Sequence, residues 1–464
     1  MSTLPDRKIE IVRHLVQSAP DKVVGDLLAA LASVSGDTAL AGVRRLVDEE
    51  VADRRLRNAV FEPIAPLCVG DGKAQRRLVF PVCILRLLWR ALKAEAPGEV
   101  ADAARALLDF RADESSPEPF DLLVARARAG LMAGEQPGYV ATAEAAEAAR
   151  AGGAAILIAC LQLAPIVRAA TLRLPEWISR MSEAHSAAAR VAFRDADEIS
   201  KEAGPQFFEM LAAQLAHPWM VLRIVSGVMD RPAERYLAAS ELSIFAERLM
   251  EEIDANLAHV VHFDLNGGVA AGAAAGTVVE LITQQIAEME SSIELGREGG
   301  WGGRIHKQKA ALASAVEGRL REIDKVFGQA LPSQTVRIAR MMKSLPRLTT
   351  APDPQAVKRM ETLLTFAEAV RTSANYGGFA STRAKVIEKI GETLDNYVEE
   401  VLALLREGEV EDPANAGRFL EIAAVCAALI RDQRSGDVIR RRGASALATL
   451  KQEPNRTSEE QRHG

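Results

Sequence analysis

The stretch TVVELITQQIAEMESSIEL (residues 277–295), followed by GREGGWGG (296–303) and RIHKQKAALASAVEGRLREIDKVFGQAL (304–331), decides how this chain reads. Ile282, Ile286, Met289 and Ile293 recur at spacings of four, three and four, and Leu312, Val316, Leu320, Ile323 and Phe327 at four, four, three and four. Those intervals line up one face of an α-helix in each arm. Five glycines in the eight residues between the arms break the period, each costing about 1 kcal/mol relative to alanine in a helix interior. The expectation is an antiparallel helical hairpin over 277–331, turning through a mobile Gly-rich loop at 296–303 that a protease cuts first.

Charge fits that reading. Glu241 to Gly300 holds eleven acids and two bases, whereas Trp301 to Thr350 holds ten bases and three acids. Folding the arms together sets Glu280, Glu288, Glu290 and Glu294 against Arg304, Lys307, Lys309, Arg319, Arg321 and Lys325. Exposed pairs are worth about 0.2–1 kcal/mol each, so they fix register more than stability.

The helical pattern extends in both directions. Upstream, Gly268, Gly272 and Gly276 fall on one face, a spacing that lets helix backbones approach closely. Phosphate binding by such glycines needs a preceding strand, and none is read there. Downstream, Ser333 to Thr349 reads as a basic amphipathic helix capped by Ser333 after Pro332, with Val336, Ile338, Ala339, Met342 and Leu345 apolar. Its cations Arg337, Arg340, Lys343 and Arg347 are the candidate partner-binding residues. Trp301, an aromatic among glycines, either joins them as a docking anchor or folds back onto the hairpin. A second basic cluster, Arg434 with Arg440 to Arg442, lacks the interleaved aromatics of nucleic-acid binding.

Residues 1–152 carry shorter amphipathic segments: Lys22–Leu31, Thr38–Val60, Lys73–Ala94 interrupted by Pro81, and Phe120–Met132. Their texture is solenoid-like, without a fixed repeat. Longer helices are expected from Glu176 to Ala203 and from Ala233 to Val261. No convincing period-two alternation appears, so the fold class is all-α: an irregular helical array followed by longer helices. The expected divisions are 1–152, 153–350 and 351–450, with a polar disordered tail at 451–464.

The 464 residues are 48% hydrophobic, enough for a large core without staples. Cys68, Cys83, Cys160 and Cys426 lie far apart with no C-x-x-C pair, which argues against a disulfide framework and for a reducing cytoplasm. Met1 to Val12 has no apolar core of a secretory signal. Ala151–Val167 and Leu265–Val279 are uncharged but read as buried helices, so no transmembrane span is expected. A net charge of −6 argues against bulk nucleic-acid binding.

Motif searches exclude the commoner chemistries. There is no P-loop, H-E-x-x-H, G-x-S-x-G, kinase signature or His-Asp dipeptide, and E-x-x-H occurs only at Glu460–His463, so a helical di-iron site cannot be built. The best metal candidate is His259, His262 and Asp264: two imidazoles three apart on a helix, with a carboxylate at its end. The plainer account makes them helix-end residues, His near the C-terminal dipole and Asp264 capping the next helix.

These observations point to a soluble, bacterial-type cytoplasmic protein: a non-catalytic helical scaffold or regulator acting through protein–protein interaction, without a cofactor and free to self-associate. The alternatives are an all-α enzyme, metal-assisted at His259, His262 and Asp264, or a peripheral binder of anionic lipid or nucleic acid through the basic segment 301–350.

Overall fold

Proline and short polar residues set the helix starts. Pro97, Pro119, Pro137, Pro175, Pro354 and Pro413 each sit in a first helical turn, where a missing N–H breaks no intrahelical bond. Ser182, Asp353 and Asp412 accept backbone N–H bonds as N-caps. The computed structural model describes residues 6–33, 40–69, 78–110, 117–149, 153–200, 202–297, 299–338 and 341–460. It is 79% helical with a single two-stranded sheet, so the fold class is all-α.

The chain divides into two compact units, 1–232 and 233–464. The first holds α1 (Asp6–Ser18), α2 (Asp21–Ser33), α3 (Ala41–Val60), α4 (Cys83–Glu95), α5 (Pro97–Asp109), α6 (Glu118–Ala133), α7 (Pro137–Glu147), α8 (Ala154–Thr171), α9 (Leu174–Ser179), α10 (Glu183–Asp197), α11 (Ala203–Gln214) and α12 (Val221–Val228). The second holds α13 (Glu234–Leu237), α14 (Ser243–His262), α15 (Gly268–Ser292), α16 (Gly300–Ala330), β1 (Ser333–Ile338), β2 (Met341–Pro346), α17 (Pro354–Ala369), α18 (Ala374–Gly377), α19 (Ala380–Glu407), α20 (Pro413–Ile430) and α21 (Gln433–Glu460). The divisions expected near residues 152 and 350 fall inside these units.

In the first unit α8 is central: Leu157, Leu161, Ala164 and Val167 are buried, and the helix packs on α6, α10 and α11. A satellite core of Val16, Val24, Leu31 and Val47 joins α1, α2 and α3. Arginines from neighbouring helices satisfy carbonyls at helix C-termini. Arg54 of α3 donates to Val16 O and Ala19 O, both at 2.9 Å, at the end of α1. Arg168 of α8 donates to Ala59 O and Val60 O, both at 2.6 Å, at the end of α3, and to Asp121 at 3.1 Å. Burial pulls the Arg168 guanidinium below its ordinary value, and Asp121 opposes this. In the second unit Arg383 donates to Ala367 O in the last turn of α17 at 2.6 Å.

The glycine stripe does what its spacing predicts. α15 packs on α17, and a Cβ on Gly272 would stand 2.2 Å from Thr362 O, one on Gly276 2.3 Å from the Ala369 Cβ. Only hydrogen at those positions lets the two backbones meet.

Several expectations need correction. Glu176–Ala203 is not one helix but α9 and α10, broken where Ser182 caps the second. Ala233–Val261 is likewise split into α13 and α14. Pro81 ends an irregular segment, and α4 starts only at Cys83. The tail is helical to Glu460, and residues 461–464 lie outside those described. The arms of the 277–331 segment form α15 and α16, but each makes its main contacts with α14 and α17 rather than with the other.

The expectation of no transmembrane span is overturned. Among the described residues, α8, α15 and α20 are long and apolar enough to cross a membrane, with 44% of each most apolar window buried in the fold. The uncharged run is not the right ruler. The 18 residues of α8 extend about 27 Å at 1.5 Å per residue, close to a hydrocarbon core of about 30 Å, and Arg168 lies near its end.

Candidate interaction surface

The expected basic helix over 333–349 is a β-ribbon. β1 and β2 pair antiparallel, with Gln334 opposite Leu345, Val336 opposite Lys343 and Arg337 opposite Met342. Thr335, Val336 and Ile338 are β-branched, and Pro346 would lack a donor inside a helix. Val336 and Ile338 suit a two-residue period as well as a helical stripe. Arg347 N–H donates to Pro332 O at 2.9 Å and closes the base of the ribbon.

The two faces differ. Lys343 reaches Glu400 of α19 at 2.8 Å, and Val336 and Leu345 on the same face are half-buried. On the opposite face Ser333, Thr335, Arg337, Met342 and Ser344 are exposed, Met342 to 68%, while Pro346, opposite Ser333, is buried at the ribbon's base. Residues 333–350 contain four bases and no acid. Arg337 and Arg347 are exposed; Arg340 lies outside the described residues.

Trp301 is not a docking anchor. It lies in the first turn of α16 with 9% of its surface exposed. The glycine run around it is held from outside: Glu234 of α13 accepts N–H bonds from Gly296 at 2.9 Å, Trp301 at 2.6 Å and Gly302 at 3.2 Å. Gly299 and Gly300 have φ of 75° and 52°, and a Cβ on Gly300 would strike the Glu234 carboxylate. The glycines therefore build a concave row of donors at a helix start instead of a free hinge.

The acidic and basic arms do not neutralise each other as expected. Lys309 pairs with Glu290 at 3.2 Å, but Arg304 pairs with Asp254 of α14, Arg321 with Glu317 of its own helix, and Asp324 with Lys389 of α19. Glu288 is buried, accepting the Ser292 hydroxyl at 2.7 Å. In the C-terminal cluster Arg440 pairs with Glu421 and Asp437, and Arg442 with Glu399.

His259 and His262 in the last turn of α14 and Asp264 just beyond it are all exposed, and among the described residues no three His, Cys, Asp or Glu side chains are placed to hold a metal. Asp264 instead accepts the Asn266 N–H at 2.9 Å in the turn before α15. The structure thus gathers Arg337, Lys343 and Arg347 on the ribbon and its base, separates Trp301 from them, and adds Thr335, Met342 and Ser344. The β-branched run and Pro346 were the available signals.

No protein-family model matches the chain, and no curated protein or solved structure is found to be similar to it.

Proposed function

We propose that this chain is a non-catalytic helical scaffold or regulatory protein that acts through protein–protein interaction, with the β1–β2 ribbon as its docking element. One observation carries this: an otherwise helical unit displays a two-stranded ribbon on which Ser333, Thr335, Arg337, Met342 and Ser344 are exposed. An isolated pair of strands is marginal in water, and an open strand edge is a liability that proteins ordinarily cover. A ribbon retained in that state is suited to completion by something else. The four cysteines are free, which supports placing the role in a reducing compartment.

Replacing residues 333–346 by a short Gly-Ser linker tests the reading. Far-ultraviolet dichroism should be unchanged, because β1 and β2 contribute no helix, while the set of proteins captured from native lysate should be lost. An unchanged captured set contradicts the proposal.

A further inference from the structure

We propose that the outer edge of β1 receives an acidic, extended segment of a partner protein as a third strand. This rests on the ribbon being the docking element and adds what it binds and how.

The backbone geometry comes first. In an antiparallel pair, hydrogen-bonded and non-bonded residue pairs alternate. The Arg347 N–H to Pro332 O bond fixes the phase, so Gln334–Leu345, Val336–Lys343 and Ile338–Met341 are the bonded pairs of the register. Ser333, Thr335 and Arg337 lie between them and turn their N–H and C=O groups away from β2. By that register the Thr335 and Arg337 N–H groups have no partner on β2. The outward residues of β2 are Met342, Ser344 and Pro346, and Pro346 is buried and has no N–H, so β1 is the edge with an unbroken row of donors; Ser333, Gln334, Thr335 and Arg337 are all exposed.

Charge selects the occupant. Residues 333–350 bring four bases and no acid. Lys343 already has Glu400, but Arg337 sits on the outer face, at the edge where a new strand would lie. Opposite-charge pairs across adjacent strands are favourable and like-charge pairs are not. A second copy of this ribbon brings further cations to the edge and no carboxylate. An anionic lipid surface answers the charge and can accept from N–H groups, but its phosphates offer no donors for the carbonyls that alternate with them along an open strand edge. An extended segment carrying Glu or Asp at alternate positions answers both, with main-chain bonds giving affinity and the cross-strand carboxylate giving selectivity.

The experiment uses the full chain and a fluorescein-labelled synthetic peptide of alternating Glu and Val, read by anisotropy, with backbone amide exchange read in parallel. Peptide binding should slow exchange at the Thr335 and Arg337 amides. Arg337→Glu should weaken binding by about tenfold. Thr335→Pro removes an outward N–H at an edge position where proline is tolerated, and should weaken binding by a similar factor with unchanged dichroism. Because that substitution can disturb β1 itself, exchange on the unaltered chain stands as the independent arm. Peptide binding without slowed exchange at these amides overturns strand addition. So does stronger Arg337-dependent binding to phosphatidylserine vesicles than to the peptide, which identifies a lipid surface instead. If the linker replacement abolishes capture but the peptide does not bind, this inference fails and the docking role stands; if capture survives the replacement, the docking role itself fails.

Discussion

The Glu234 carboxylate accepts the Trp301 backbone N–H at 2.6 Å, so the first turn of α16 is capped by a residue 67 positions earlier in the chain. Together with the bonds from Gly296 and Gly302, this satisfies donors that a helix start leaves without intrahelical partners.

Glu234→Ala should therefore destabilise the second unit by about 1–3 kcal/mol, the cost of orphaning donors that a charged acceptor had satisfied. The more specific sign is proteolytic. In the unaltered chain, limited digestion should spare 296–303, whereas Glu234→Ala should open a new cleavage there. Cleavage at this loop in both proteins would show that the carboxylate does not hold it.

The α15–α17 contact gives a paired test. Gly272→Ala places a Cβ 2.2 Å from Thr362 O and should cost about 1–3 kcal/mol through overpacking. Gly318, inside α16, has open space around its Cβ position, so Gly318→Ala should stabilise by up to about 1 kcal/mol. Thermal melts should move in opposite directions; a fall of equal size in both would mean that helix crossing distance is not what Gly272 controls.

Arg168 holds the end of α3 from inside the first unit while only 6% exposed. Arg168→Met leaves Asp121 and the Ala59 and Val60 carbonyls short of a donor and should cost about 3–5 kcal/mol. Arg168→Lys should not restore stability, since one ammonium cannot reproduce the fork that reaches two carbonyls and a carboxylate. Urea unfolding of both variants measures this.

How much of the fold is legible in the sequence differs by kind of residue. Apolar period marks α2, α3, α6 and α16 within a few residues, because each helix must bury a stripe whichever neighbour it meets; α15 begins nine residues before the arm read at Thr277. The glycine stripe signals close packing for the same reason, although α17 as its partner is not readable. Inferences about which distant segment supplies a partner fail. Glu234 capping Gly296–Gly302 and Asp254 pairing Arg304 join residues with no sequence relation, so charge totals of adjacent segments suggest a pairing the fold does not use. The ribbon escapes a helical reading because twelve strand residues between long helices allow both periods, and only Pro346 and the β-branched run separate them.

The docking of α21 carries a pH dependence. Arg442 holds the Glu399 carboxyl below its ordinary value chiefly by hydrogen bonding, through contacts of 2.6 and 2.7 Å to the two carboxylate oxygens. A carboxyl lowered in the folded state contributes stability above its unfolded value of 4.5 and loses it as pH falls through the lowered folded value. The pair is largely exposed, so the effect is small and local. Protection factors of the α21 amides, taken relative to the intrinsic exchange rate at each pH, should fall on acidification in the native chain and much less in Glu399→Gln, whose contact no longer titrates.

The measurement that tests the ribbon's role most directly is photo-crosslinking from Met342, 68% exposed on the outer face, against Leu108, 86% exposed in the first unit. With a photoreactive residue at each position in native lysate, position 342 should give one discrete adduct, outcompeted by unlabelled full-length protein but not by the linker-replaced form. Position 108 should give none. The same adducts from both positions, or no adduct at 342, would contradict the account.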